Sequence, residues 1–326
     1  MTKSKTKEFI IKSNLLLWYR KNKRNLPWRK LYKSKLPNPY YVMISEYMLQ
    51  QTTVGTVKTR FQEFISKWPN IESLSKISNS TILSFWSGLG YYSRATNLLK
   101  AIKTIKKKYN GKIPSNYNDL LELPGIGVYT AKAILGIAYN RPVMPIDANI
   151  ERIIARLYNF NSPIITIKEE LNNKAKFFIS KNSSTNLIQA FMDYGSIICK
   201  PKNPNCSICV IKKKCLSYKN NNQYNIPFKL KTKSKKLKKY SRAYVFLKGK
   251  NKILVRKRKS KGMLPSMLEV PNDVWVKNKE ILVMDKIAHS FKDSLILKGS
   301  MTYSFSHFDL EVDVFTITVS KNKFNN

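Results

Sequence analysis

What this chain has little of narrows what it can be. Histidine is scarcest: His289 and His307 are the only two in 326 residues. No imidazole is therefore available for acid–base chemistry anywhere ahead of residue 289. Cysteine comes next, with four residues that all fall between 199 and 215. Two disulfides are conceivable there, but a reducing compartment and the clustering favour thiolates on a metal. Acidic residues number 19 against 60 Lys and Arg, a formal charge of +41. A field of that sign favours a polyanionic partner such as nucleic acid. The wealth of Lys, Asn and Ile is also what AT-rich codon usage produces, so the charge permits that partner without proving it. Long apolar runs are missing too. Nothing approaches the roughly 20 residues that span a bilayer, and Glu8 and Lys12 do not suit a transit or signal peptide. The expectation is a soluble, cytoplasmic protein that does not engage membranes.

Strand signals are nearly absent from the first two-thirds of the chain, where apolar residues recur at helical spacing. A helix is expected over residues 7 to 22, with Phe9, Ile10, Leu15, Leu16 and Trp18 as its apolar contacts, ending before Leu26-Pro27-Trp28-Arg29. The stretch from Tyr40 to about Ser66 should divide near Gln51, because Thr52, Thr53, Val54 and Gly55 are poor helix formers. Further helices are expected at about 71–76, 79–86, 91–109, 116–122, 128–138, 148–158, 167–180 and 184–198. Composition shifts at Pro227, and residues 228 to 239 are dense in lysine. Beyond them Tyr240 to Leu247, Lys252 to Val255, Met301 to Phe305 and Asp309 to Val319 read as short strands. The expected plan is a helical domain over 1–226, a basic linker over 227–239 and a small α+β domain over 240–326.

Four groups of residues carry chemistry. In Leu123-Pro124-Gly125-Ile126-Gly127 two glycines flank one apolar residue between expected helices. Such a turn frees amides to hold a phosphate without reading sequence. Glu46 has Val42 and Leu49 as neighbours on its helix face. Apolar neighbours desolvate a carboxylate and raise its pKa, which makes an acid near neutral pH. Asp147, in Pro145-Ile146-Asp147-Ala148-Asn149, reads as the N-cap of the next helix. A carboxylate fixed there can also stabilise a cationic sugar, the electronic demand of glycoside hydrolysis. The cysteines Cys199, Cys206, Cys209 and Cys215 are spaced C-x6-C-x2-C-x5-C. Four thiolates suit tetrahedral zinc or a cubane iron–sulfur cluster, and spacing alone does not choose.

These strings resemble the adenine DNA glycosylases of the MutY type. Ser45-Glu46-Tyr47-Met48-Leu49-Gln50-Gln51-Thr52 is similar to that family's S-E-x-M-L-Q-Q-T, and Trp86-Ser87-Gly88-Leu89-Gly90-Tyr91-Tyr92-Ser93-Arg94 to its W-x-G-L-G-Y-Y-x-R. Asp147-Ala148-Asn149-Ile150 stands where the family has D-G-N-V, with alanine in place of glycine. The cysteine spacing, preceded by Met192-Asp193-Tyr194-Gly195, is similar to the [4Fe-4S] motif shared with endonuclease III. The resemblance implies an all-α, two-lobed helix-hairpin-helix fold, with a six-helix lobe over about 30–138. The cluster lobe would comprise the N-terminal helix and about 139–226. It also implies a [4Fe-4S] cofactor on the four cysteines, and a lysine-bearing loop of Lys200, Lys202, Lys212, Lys213 and Lys214 against DNA.

As the resemblance implies, Glu46 protonates adenine, Asp147 with Asn149 serves the sugar, and Tyr129 helps to position Asp147 and the base. Gln51 and Tyr91 match residues that wedge into the duplex, Arg29 and Gln189 match contacts to the extruded adenine, and Gly125 and Gly127 hold the backbone. Endonuclease III-like enzymes carry a lysine where this chain has Tyr129, so the amine that cuts the strand through a Schiff base is missing. Phe305-Ser306-His307-Phe308 resembles the F-S-H loop with which the Nudix-like C-terminal domain senses 8-oxoguanine. Segments around Gly262-Met263-Leu264-Pro265 and Glu269-Val270-Pro271 also resemble that domain, although no glutamate-rich Nudix box is present. The implied partner is double-stranded DNA with adenine opposite 8-oxoguanine or guanine, bound by a monomer. Two rivals stay open: an endonuclease III-like pyrimidine glycosylase and lyase, and a non-catalytic DNA-binding iron–sulfur protein.

Overall fold

Side-chain caps and backbone breaks set the helices of a computed structural model that describes residues 6–31, 36–228, 236–249, 252–259, 262–265, 267–305 and 307–319. The chain divides into two compact units, Met1–Leu230 and Lys231–Asn326. Helix α1 (Lys7–Asn22) starts at Thr6, whose hydroxyl accepts from the Phe9 amide. It buries Ile11, Leu15 and Tyr19, while Phe9, expected as a contact, is 47% exposed. Asn38 caps α2 (Pro39–Leu49), with proline in the first turn where its missing N–H costs nothing. The expected division near Gln51 is there: Gln51 takes a left-handed φ of 56°, and Thr53 caps α3 (Val54–Lys67). Then come α4 (Ile71–Ser75), α5 (Asn79–Phe85), α6 (Ser93–Lys108), α7 (Tyr117–Leu121), α8 (Val128–Ala138), α9 (Ala148–Tyr158), α10 (Lys168–Lys176), α11 (Ser184–Ile197) and α12 (Leu216–Lys219). Expected to begin at 91, α6 begins at Ser93, because Tyr91 is also left-handed, at φ 46°.

Two helices are hubs. Eight of the eleven residues of α2 are buried, and it packs on α3, α6, α8 and the turn Pro27–Arg29. Helix α11 packs on α1, α8 and α9. Because α8 touches both hubs, one apolar core runs through the unit from Ile11 to Ile226. Gly195 permits the contact of α11 with α9, since a Cβ there would sit 2.6 Å from the Asn149 Cβ.

The second unit contains β1 (Leu237–Lys248), β2 (Lys252–Ile253), β3 (Arg256–Lys257), β4 (Leu268–Glu269), α13 (Lys286–His289), β5 (Ile296–Ser304) and β6 (Phe308–Thr318). A four-stranded sheet runs β2-β1-β6-β5, with β1 and β6 parallel, and β3 pairs with β4 in a separate ribbon. Tyr244, Phe246, Ile317, Val319 and Ala288 form its core. Two expectations need correction. Residues 237 to 239 of the expected linker belong to β1, paired with Phe308 to Leu310, and residues 229 to 235 lie outside the described residues. Strand β5 begins at Ile296 rather than Met301, and because every one of its residues is exposed it leaves no burial alternation to read.

Candidate active site

A cavity of about 620 Å3 in the first unit is lined by residues of α2, α8, α9 and α11. Glu46, Gln51, Tyr129, Asp147, Asn149, Arg29 and Gln189, all selected from the sequence, line it. Glu46 is 6% exposed. Burial raises its carboxyl to about 7, a hydrogen bond from Tyr129 opposes the rise and the charge of Asp147 adds to it. The Tyr129 hydroxyl is pushed far above its ordinary value, by burial first and then by the two carboxylates. It stays protonated, a fixed donor to Glu46.

Asp147 caps α9. One carboxylate oxygen accepts from the amides of Asn149 at 3.0 Å and Ile150 at 2.7 Å. The other accepts from the Asn149 side-chain amide at 2.8 Å. Ala148 is the first residue of the helix and has no left-handed φ, so alanine fits where the family has glycine. Asn149 is itself held: its Oδ1 accepts from the Arg152 guanidinium at 2.9 Å. Arg152 also donates to the carbonyls of Gly195 at 2.7 Å and Cys199 at 2.7 Å. A continuous line of hydrogen bonds thus joins the Asp147 carboxylate to the backbone of the first cysteine.

Sequence reasoning missed Arg152, although its i+3 spacing from Asn149 was a usable sign. It also missed Asp193, which is fully buried on α11 and bound by two arginines. Arg24 donates to it from Nε at 2.5 Å, and Arg29 grips it with two N–H groups at 2.7 and 2.8 Å. Burial alone would raise the Asp193 carboxyl, but the arginines override that and hold it below the usual carboxylate range. Arg29 therefore lines the cavity with much of its guanidinium already committed. Gln189 differs. Its amide nitrogen donates to the Thr185 carbonyl at 3.0 Å, while its buried Oε1 has no partner.

At the hairpin, Gly125 has φ +83°, and a Cβ would lie 2.9 Å from both Asn97 Cβ and the Tyr47 ring. Only glycine fits. Gly127, the N-cap of α8, has open space where its Cβ would be and offers no side-chain cap. The first amides of α8 are thereby left for an anion from outside. Exposed Gln51 and 43% exposed Tyr91 stand on separate left-handed turns, only the former at the cavity.

The four cysteines line one small cavity with Arg156, Tyr218 and Gln223. Arg156 donates to Cys199 Sγ at 3.3 Å, and the Tyr194 hydroxyl hydrogen-bonds Cys209. Burial raises the thiols of Cys206 and Cys209 and pushes Cys215 up to about 11. The buried Gln223 Oε1 has no partner. Among the described residues no three His, Cys, Asp or Glu side chains converge on a single ion. A cubane asks for a different arrangement, one thiolate at each corner of a cage with donors around the sulfurs. Four cysteines lining one pocket, two of them with side-chain donors to sulfur, fit that demand.

In the second unit Phe305 packs among Trp275, Tyr303 and Phe308, the last stacked at 4.8 Å. Its amide donates to the Phe308 carbonyl at 2.8 Å and closes the turn. His307 is exposed, and Ser306 lies outside the described residues.

A glycine hairpin beside a buried acid and a capping aspartate defines a class of protein. Residues 44–177 match the HhH-GPD superfamily base excision DNA repair protein family. The helical unit is similar to a thermostable thymine-DNA glycosylase, with TM-score 0.59 and 28% identity over 66% of this chain and 97% of that one. A DNA complex of endonuclease III shares the fold, with TM-score 0.55 and 20% identity over 67% and 99%. The adenine DNA glycosylase of Buchnera aphidicola from Schizaphis graminum is 36% identical over 96% of this chain and 88% of its own length. That of Mus musculus is 36% identical over 64% and 41%. The chain belongs to the adenine DNA glycosylases, enzymes of base excision repair that hydrolyse the N-glycosidic bond.

Proposed function

We propose that the substrate is adenine opposite 8-oxoguanine or guanine in double-stranded DNA, removed by hydrolysis without strand cleavage, by a monomer acting in the cytoplasm. The observation that carries the chemistry is Glu46, raised to about 7 by burial, in one cavity with Asp147 and with Tyr129 where a lyase has its amine. A base inside a stacked duplex is out of reach, so adenine is extruded into this cavity. Gln51 and Tyr91 fill the gap in the duplex while the hairpin amides grip the backbone. Gln189 Oε1 accepts a hydrogen bond from the amino group of adenine, and Arg29 backs the pocket. Glu46 gives its proton to N7, the bond electrons leave with the base, and Asp147 stabilises the cationic C1′. Water adds with Glu46 as base. Asn149 keeps Asp147 aimed. The four cysteines would hold a [4Fe-4S] cluster, which when bound braces the loop that carries Lys200, Lys202 and Lys212 to Lys214. The second unit would supply a Nudix-like fold whose Phe305, Ser306 and His307 meet the lesion strand, with Phe305 held among Trp275, Tyr303 and Phe308.

The test is single-turnover excision from duplexes with adenine opposite 8-oxoguanine, adenine opposite guanine, and thymine glycol. Adenine release that is fastest opposite 8-oxoguanine and leaves the strand intact is the expected result. Equal rates for the two adenine duplexes would remove the role of Phe305, Ser306 and His307. A cut thymine glycol strand, trapped by borohydride, would favour the lyase.

A further inference from the structure

The most heavily bonded side chain near the cavity is one to which nothing so far gives a task. Arg94, in the first turn of α6, is buried, yet among the described residues no carboxylate pairs with it. Its guanidinium instead closes two turns at once. One terminal nitrogen donates to the carbonyls of Tyr47 at 3.0 Å, Met48 at 2.7 Å and Gln50. These belong to the end of α2, where carbonyls have no partner within the helix. The other donates to Thr52 Oγ1 at 3.1 Å and to the carbonyls of Leu89 at 2.9 Å and Gly90 at 3.1 Å. The Tyr91 ring lies 5.7 Å from the guanidinium carbon, within cation–π range. Gln51 sits inside the first turn and Tyr91 directly follows the second, and both are left-handed, a conformation that side-chain-bearing residues avoid.

We propose that Arg94 is a positioning residue for base extrusion. It fastens the turns of Gln51 and Tyr91 into one preformed wedge, so that entering the duplex needs no further ordering of either turn. The inference rests on reading Gln51 and Tyr91 as the wedge. A planar fork with donors on two separate nitrogens can span two turns, and a lysine ammonium, whose donors radiate from one point, cannot.

The experiment uses the full chain and stopped-flow fluorescence of 2-aminopurine next to the target adenine, which reports extrusion separately from excision. Arg94→Lys is expected to slow the extrusion phase at least tenfold and to leave the pH at which excision titrates in place, because Glu46 is untouched. In a Gln51→Ala/Tyr91→Ala background the same substitution should add no further slowing, because there is no wedge left to fasten. A merely structural arginine would slow both backgrounds alike, and that result overturns the proposal, as does a wild-type extrusion rate for Arg94→Lys. Thr52→Val removes one acceptor from the guanidinium and serves if Arg94→Lys does not fold. It should slow extrusion several-fold, and an unchanged rate overturns the proposal by itself. If Gln51→Ala/Tyr91→Ala extrudes at the wild-type rate, the wedge reading fails and takes this inference with it, an outcome separate from the others.

Discussion

Glu46 is buried where its charged form is costly, and two measurable consequences follow at the scale of the residue. With a carboxyl near 7, the protonated acid is present below that pH and is lost above it. Single-turnover excision should therefore fall about tenfold per unit as pH rises beyond 7. Glu46→Gln should lower the rate by roughly 10²–10⁴ and leave mismatch binding intact. Stability should move the opposite way. A carboxyl raised from 4.5 to about 7 on folding holds more protons folded than unfolded between those values, so the fold loses stability as pH climbs through that window. Removing the carboxyl should then stabilise the protein by up to about 3 kcal/mol at pH 8 and by nothing near pH 4, as thermal melts would register. This site was legible because Val42 and Leu49 are close in sequence and the helical period sets them beside Glu46. Asp193 was not, because Arg24 and Arg29 reach it only once α1 and α11 have packed.

Elements explain why two glycines of one hairpin should respond differently. Gly125→Ala forces a left-handed φ on alanine and drives a methyl into the Tyr47 ring of α2. It should cost roughly 1–3 kcal/mol of stability, visible as a lower melting temperature. Gly127→Ala meets open space at an ordinary φ, so the melting temperature should hold while affinity for DNA falls. Equal loss of stability in both would contradict the division of labour between packing and phosphate. The tie of α11 to the segment before α2 is the Asp193 ion pair. Asp193→Asn leaves Arg24 and Arg29 without their anion and should destabilise by about 3–5 kcal/mol. Helix extents came close from periodicity, except that α10, expected to reach 180, ends at Lys176. The start of α6 was misplaced by the left-handed Tyr91, and that of β5 by an edge strand with no buried face.

Across the whole molecule the charge of +41 is the largest single property, and the expected codon bias and DNA binding both account for it. Salt dependence separates them. If six to ten phosphates are neutralised, affinity for duplex DNA should drop by about 10³–10⁵ between 50 and 200 mM salt. A shallow slope would mark most of the lysines as bystanders. The first unit was readable in detail because its motifs are long and its helices announce themselves by period, although the packing of α11 on α1 and of α2 on α8 joins segments far apart in the chain. The second was readable only as strands, since its parallel β1–β6 pairing joins segments about seventy residues apart. Folding and chemistry both call on Asp147. Its carboxylate closes the first turn of α9, so a lineage selected only to keep the protein folded would retain it after repair had ceased. Glu46 has the opposite ledger, because a neutral side chain there would improve the fold at neutral pH. In a drifting genome, then, Asp147 would persist for the sake of the fold alone, while Glu46 would be the first of the two carboxylates to be lost once adenine removal was no longer selected.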